Sequence, residues 1–324
     1  MDRSKIEWTD ASWNPIRAVN IAQGGIGHFC VHVSEGCRNC YAERQQPRFR
    51  NPIRFAAPDI TKVDIFLDDK MLTQPLRWQK PRMIFVGSMT DIFGHWVTDD
   101  MLDRLFAVMA LCPQHTFQVL TKRPERMREY LKPYDSRRAD GLGRNVISLG
   151  YDGPLECLRW PLPNVWLGVS VEDQMAADQR IPILLDTPAA LRFLSCEPLL
   201  GPVNVEPGIN WVIAGGESGP KARPMHPEWV RALRDQCQAA GVPFFFKQWG
   251  EWGYFPAELP TRQGEDYIFG SDGEVFGAGH SSYGGCIDPD WREKGGAWMR
   301  RVGKKRAGNT LDGRQHLEWP EARS

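Results

Sequence analysis

Six short apolar runs punctuate the middle of the chain: Met83–Gly87, Phe117–Leu120, Val165–Val169, Leu191–Leu194, Trp211–Ala214 and Val242–Phe246. Each is nearly continuous rather than alternating, the pattern of strands buried on both faces of a parallel sheet. Helical spacing lies between most of them. Asp99 or Asp100 is placed to cap a helix whose Met101, Leu102, Leu105, Phe106, Val108 and Met109 share one side. Residues 227–240 give the clearest helix, with Pro227 at its first position, Trp229, Val230, Leu233 and Cys237 as an inner stripe, and Gly241 just beyond. The stretch from Pro198 to Asn210 holds three prolines and two glycines, so a loop and not a crossover helix is expected there.

Repeated βα units with right-handed crossovers close into a barrel or spread into a doubly wound sheet. No GxGxxG turn follows an early strand, which favours an α/β fold of the TIM-barrel type, complete or partial. The expected organisation has three parts. Residues 1–82 form an N-terminal segment that joins the barrel, residues 83–250 supply the βα units, and residues 251–324 form a cap. That last stretch holds 13 of the 31 glycines together with Trp252, Trp291, Trp298 and Trp319, a composition of loops and short hairpins. Asp272-Gly273 is a plausible turn between Tyr267–Phe269 and Val275-Phe276.

A polar cluster follows each apolar run: Ser88, Thr90 and Asp91; Thr121, Lys122 and Arg123; Ser170, Glu172 and Asp173; Ser195 and Glu197; Glu217 and Ser218; Lys247 and Gln248. Strand ends of a parallel sheet share the rim where such folds place ligands. Many of the smaller residues could simply cap helices. The large charges need water or a partner, which makes a ligand-facing rim the more specific expectation. Gly215-Gly216-Glu217-Ser218-Gly219 either lets the backbone approach a ligand closely or makes a turn; it lacks the lysine of a phosphate loop.

Charge adds little globally, since 40 Lys and Arg balance 40 Asp and Glu. It is informative locally. Five arginines and one glutamate fall between Arg38 and Arg54, and seven Lys or Arg and one acid between Arg292 and Arg306. Either patch could hold phosphates of a nucleotide or nucleic acid, with Trp298 available to stack on a base, although solvated surface is the plainer reading of each. No apolar run reaches the roughly 18 residues of a membrane span and no secretory leader opens the chain, so a cytoplasmic protein without a membrane partner is expected.

Eight cysteines are too few for a disulfide scaffold, yet Cys30, Cys37 and Cys40 crowd into eleven positions as Cys-x6-Cys-x2-Cys. Three thiolates suit zinc or an iron-sulfur cluster. Structural zinc wants four ligands and would have to recruit His28, His32, Cys196 or Cys286. A cubane on three thiolates leaves one iron open to a small molecule. Cys112, Cys157 and Cys237 read as small apolar residues.

These residues, with Ile6-Glu7-Trp8-Thr9-Asp10, Trp13-Asn14-Pro15, Cys37-Arg38-Asn39-Cys40-Tyr41-Ala42, Val119–Pro124, Gly168–Glu172, Ser195-Cys196-Glu197-Pro198 and Phe245–Gly250, carry a resemblance. They resemble the three-cysteine-motif proteins of phages and bacteria, a family of unknown function that looks like radical S-adenosylmethionine (SAM) enzymes. The likeness runs through Val302-Gly303-Lys304-Lys305 and Leu311–Arg314. It implies an enzyme in which Cys30, Cys37 and Cys40 hold a 4Fe-4S cluster, SAM binds the open iron, and an electron donor protein drives cleavage to a 5′-deoxyadenosyl radical. Ser88, Asp91, Lys122, Ser170, Glu172, Glu197, Glu217 and Lys247 are the candidate cofactor contacts, and Tyr41 either covers the cluster or packs nearby. Radical SAM enzymes usually space the first two cysteines by three residues, and their Gly-Gly-Glu follows an early strand, so the SAM-binding role is not transferred to Gly215-Gly216-Glu217. An insertion at about Asn20 to Phe29 precedes Cys30. Two other readings remain: a zinc-stapled nucleic-acid-binding protein, and an iron-sulfur subunit of a partner enzyme.

Overall fold

The computed structural model describes residues 4, 6–132, 136–150, 152, 160–254, 266–269, 275–278 and 295–321. The strands are β1 (Ala11–Trp13), β2 (Ile16–Asn20), β3 (Ile26–Gly27), β4 (Val63–Leu67), β5 (Met83–Val86), β6 (Thr116–Thr121), β7 (Val165–Ser170) and β8 (Leu191–Cys196). After them come β9 (Trp211–Gly215), β10 (Phe244–Gln248), β11 (Trp252–Tyr254), β12 (Asp266–Phe269), β13 (Val275–Ala278), β14 (Ala297–Arg301), β15 (Thr310–Leu311) and β16 (Arg314–Gln315). The helices are α1 (Tyr41–Gln45), α2 (Asp69–Leu72), α3 (Asp99–Ala110), α4 (Pro124–Leu131), α5 (Ser136–Ser148), α6 (Gln174–Leu185), α7 (Pro227–Ala240) and α8 (Lys304–Ala307).

Seven strands take the order β1-β5-β6-β7-β8-β9-β10, with parallel pairing at β1–β5, β5–β6, β6–β7, β7–β8 and β9–β10. The protein is therefore a mixed α/β fold consistent with a partial parallel βα barrel; among the described residues the strand order runs from β1 to β10 without closing. All six apolar runs fall on strands, with Gly87, Val242 and Pro243 just outside theirs. Every residue of β7 and β9 is buried, which is why those runs lack alternation. No helix interrupts Pro198 to Asn210, as the prolines require. Among the described residues no helix is long and apolar enough to cross a membrane.

The chain divides into two compact units: Met1–Ser170 with Met175–Ser195 and Glu206–Asn210, and Val171–Gln174 with Cys196–Val205 and Trp211–Ser324. In the first, Trp8 packs on Phe85 at 4.6 Å, and its carbonyl accepts a hydrogen bond from buried Gln118 on β6. Helix α3 buries Leu102, Leu105, Phe106 and Met109 as its spacing predicts. Its cap differs from expectation: Thr98, one residue earlier than Asp99, accepts from the Met101 amide, and Asp99 and Asp100 occupy the first turn, where they complement the helix dipole. A separate antiparallel sheet, β3-β2-β4, contains the insertion before Cys30, folded as the β2–β3 hairpin.

In the second unit, α7 spans the predicted residues and ends on Gly241 at φ +64°. Its buried stripe is Pro227, Val230, Leu233 and Cys237, while Trp229 is only half-buried, against expectation. Neutral His226 caps the helix: Nδ1 accepts from the Glu228 amide, Nε2 donates to the Gly295 carbonyl, and burial pulls its pKa down. The C-terminal stretch forms the antiparallel sheet β11-β14-β12-β13. Strands β12 and β13 pair as the expected hairpin; its turn at Asp272-Gly273, together with Trp291, Cys157 and Cys286, lies outside the described residues. Trp298 is not available to stack on a base. It is 1% exposed inside that sheet, with the Arg300 guanidinium 4.8 Å over its ring.

Candidate metal centre and strand-end residues

A tight turn presents the three cysteines. Glu35–Cys37 is a single 3-10 turn, the Cys40 amide donates to the Cys37 carbonyl, and Cys40 sits at the head of α1. All three are free, and Cys30 and Cys40 pack against the same small apolar cluster of Ala42, Phe55 and Met89. Desolvation pushes the Cys30 thiol up to about 12, with the Asp91 carboxylate adding to the rise and the Arg123 charge opposing it. Desolvation also raises Cys40, while the Glu43 and Ala42 amides pull the other way.

The loop around Cys30 is gripped from both sides. The Thr90 hydroxyl donates to the carbonyl of Phe29, and Arg123 Nη2 donates to the carbonyl of Val31 at 2.7 Å. Arg123 Nη1 also meets Asp91 Oδ2 at 3.0 Å, and its guanidinium lies 4.8 Å over Trp96. Asp91 is itself held, accepting from the Thr121 hydroxyl at 2.7 Å and from the Lys122 amide at 3.0 Å. Glu43 closes the arm by accepting from the Phe55 amide and pairing with His32 Nε2 at 3.0 Å. The Tyr41 hydroxyl donates to the Ser88 carbonyl, and the Ser88 hydroxyl exchanges hydrogen bonds with Asn14. Backing this arm is the hairpin of the insertion. The side chain of Gln46 accepts from the His28 amide, and a Cβ on Gly25 would lie 1.9 Å from the Arg50 carbonyl oxygen, so only glycine fits.

Of the supplementary zinc donors, Cys286 lies outside the described residues and the two histidines are hydrogen-bonded or paired, His32 to Glu43. His28 is buried and donates through Nδ1 to the Ile16 carbonyl; burial, then the Arg17 charge, pulls it down to about 4. Cys196 belongs to the second unit, where Cys237 and Glu172 are its charge neighbours. Among the described residues no three His, Cys, Asp or Glu side chains converge on a point that would hold one metal ion. A tetrahedral zinc needs such convergence, with every donor roughly 2 Å from the ion. A cubane takes each thiolate on a different iron, so its ligands stand farther apart, and three free thiols with two on one apolar cluster fit that donor set.

The remaining rim candidates separate by unit. Ser88, Asp91, Lys122 and Ser170 lie in the first, where the Ser170 carbonyl accepts from Arg180 Nη1 at 2.6 Å. Glu172, Glu197, Glu217 and Lys247 lie in the second. There Lys247 Nζ pairs with Glu197 Oε1 at 2.6 Å, and Glu217 takes the Nε and Nη2 of Arg223 on separate oxygens at 3.0 and 2.7 Å. Glu172 is buried, and its carbonyl accepts from the Leu200 amide. The glycine-rich turn serves backbone packing: a Cβ on Gly216 would lie 2.0 Å from the Trp249 carbonyl oxygen. Sequence reading grouped Thr90 and Arg123 with the rim but did not select them, and it missed Asn14 and Glu43 as supports. Only the Cys40-Tyr41-Ala42-Glu43 adjacency hinted at the last.

A family model described as "Protein of unknown function (DUF5131)" matches residues 3–320. No curated protein and no solved structure matches the chain.

Proposed function

The chain belongs to this family, and from that premise we propose that it is an iron-sulfur enzyme of radical-SAM type. In this reading the seven parallel strands are part of a TIM-type barrel, Cys30, Cys37 and Cys40 hold a 4Fe-4S cluster, and the substrate is a nucleotide or nucleic acid. Bound there, the cluster and SAM would supply a radical able to take hydrogen from an unreactive carbon. The observation that carries the reading is the grip on both carbonyls flanking Cys30, which fixes a thiol-bearing loop from the segments that follow strands β5 and β6. A merely buried cysteine needs no such support.

The chain's own tasks follow from its contacts. Arg123 and Asp91 hold the loop; Glu43 and the α1 amides hold the Cys40 end. Ser88, Lys122 and Ser170, in the same unit as the three cysteines, are proposed to bind SAM and exclude water. Asp91 serves that role through Arg123 and the Lys122 amide. An electron donor protein completes the reaction.

The test is the iron, zinc and acid-labile sulfide content of protein purified without oxygen or added metal, with a visible spectrum before and after dithionite. About four iron and four sulfide per chain, bleaching on reduction and followed by 5′-deoxyadenosine formation, is the expected result. Stoichiometric zinc without sulfide would establish the zinc-stapled binding protein. A reducible cluster that never cleaves SAM would establish the electron-transfer subunit of a partner enzyme.

A further inference from the structure

The sheet β3-β2-β4 has one covered edge and one bare edge. On the β3 side lies the cysteine arm: Gln46 accepts from the His28 amide, Asn51 Nδ2 donates to the Ala18 carbonyl at 3.1 Å, and the Arg50 carbonyl packs against Gly25. On the β4 side two bonds set the phase of the ladder, Ile21 amide to Lys62 carbonyl and Asp68 amide to Pro15 carbonyl. Hydrogen-bonded pairs alternate along antiparallel strands, so Asp64 and Phe66 are the β4 residues that bond to β2, opposite Val19 and Arg17. The amides and carbonyls of Ile65 and Leu67 point the other way, and among the described residues no hydrogen bond engages them. Natural edge strands are blunted by lysine, proline or a bulge. The β4 sequence Val63-Asp64-Ile65-Phe66-Leu67 has neither residue, its pairing with β2 runs without a shift, and Ile65, Phe66 and Leu67 are each only half-buried.

The outer face beside this edge is self-complementary. Alternation puts Arg17, Val19, Asp64 and Phe66 on it, opposite buried Ile16, Ala18 and Asn20. Ile26, the cross-strand neighbour of Val19, is 47% exposed, and Ile21 at the hairpin tip is 63% exposed. Arg17 stands beside Phe66, its Nε buried without a hydrogen-bond partner and its Nη2 reaching only the Ile26 carbonyl at 3.4 Å. The Asp68 carboxylate is a charge neighbour of Arg17 but accepts from the Met71 amide as the cap of α2. Asp64 is exposed. One face thus carries an under-bonded guanidinium and an open carboxylate.

We infer that β4 pairs antiparallel with β4 of a second copy of this chain, about a twofold axis at Ile65, so that one sheet runs through both copies. Each Ile65 then donates to and accepts from its counterpart, and each Leu67 amide donates to the partner's Val63 carbonyl; the Val63 amide is already bonded to the Ile60 carbonyl. In that register Asp64 falls opposite the partner's Phe66, whose own cross-strand neighbour is the partner's Arg17. Carboxylate and guanidinium meet across that ring, and they do so twice, because the contact is isologous. A foreign strand would satisfy the backbone alone; this chain's own β4 also brings the carboxylate that Arg17 needs. The pairing uses no metal and stands apart from the proposed function.

The experiment is sedimentation velocity over a micromolar concentration series, joined to hydrogen exchange of the β4 amides. Wild-type protein is expected to dimerise, and the Ile65 and Leu67 amides to exchange more slowly as concentration rises, because only the dimer bonds them. Ile65→Pro removes an outward amide that β2 does not use, and the variant is expected to stay folded and to remain monomeric across the series. Asp64→Arg sets like charges against each other at both contacts and is expected to weaken the dimer about tenfold per contact, about a hundredfold in all. If Ile65→Pro fails to fold, Asp64→Arg and the exchange measurement decide. The inference is overturned by wild-type protein that is monomeric throughout the series, or by a dimer in which exchange at Ile65 and Leu67 does not depend on concentration. A folded Ile65→Pro or Asp64→Arg variant that dimerises as the wild type does overturns it equally.

Discussion

Charged side chains do different work in the two units. In the first, Arg123, Asp91 and Glu43 bond the backbone of other segments, at the Val31 carbonyl, the Lys122 amide and the Phe55 amide, in addition to the side-chain pairs Arg123–Asp91 and Glu43–His32. In the second, Glu197 pairs with Lys247 side chain to side chain, while Glu217 takes both the side chain and the backbone amide of Arg223. A charge bonded to backbone fixes the path of a loop and cannot be replaced by an apolar residue of the same size. A closed pair can be replaced as a unit, because removing both partners leaves no orphan.

The comparison can be broken by substitution. Arg123→Met is expected to cost about 3–5 kcal/mol by chemical denaturation, since it strands a largely buried carboxylate and the Val31 carbonyl. Adding Asp91→Asn should restore little, because Thr121 and Lys122 also depend on that carboxylate; full recovery in the double variant would show the pair to be of the closed kind. Gly216→Ala comes next, at about 3 kcal/mol in thermal unfolding, because its Cβ meets a carbonyl oxygen that cannot swing away. Glu197→Gln is expected to cost about 2 kcal/mol, because it takes the carboxylate from the largely buried Lys247 ammonium; wild-type stability in that variant would show the ammonium to be held by its other contacts.

The smallest effect concerns pH. Hydrogen bonds from Arg231, together with those of Arg234, hold the Asp312 carboxyl down to about 2. Its unfolded counterpart titrates at about 3.9, so the stabilisation is complete above that pH and is lost as pH falls through about 2. Water screens this half-exposed group, and Asp312→Asn should cost about 1 kcal/mol at pH 7 and nothing below about pH 1. An equal cost at both values would mean that packing, not charge, is what the substitution removes.

The strands were legible because burial on both faces writes a continuous apolar run, as in Val165–Ser170. Short strands were not: Ala11–Trp13 and Trp252–Tyr254 carry too few residues for any period to emerge. The three cysteines were conspicuous by spacing, yet their supports were invisible, since Thr90 and Arg123 reach the loop across 61 and 92 residues of sequence. His226 as a helix cap went unread because imidazole caps only in its neutral, correctly tautomeric form. The Gly-rich turn, suggestive of a ligand, reflects one main chain pressed on another.

Those long spans have a consequence in time. A ribosome that has made Cys40 has made every thiol of the arm, but none of the side chains that grip the loop around Cys30; the last of them, Arg123, arrives many residues later. During that interval the arm is a set of pliant thiols on a nascent chain, open to any scavenging metal or oxidant. Its proper shape exists only after β5 and β6 have paired, a step that waits on loop closure over those distances. Under the proposed function, folding of the arm would come first and loading second.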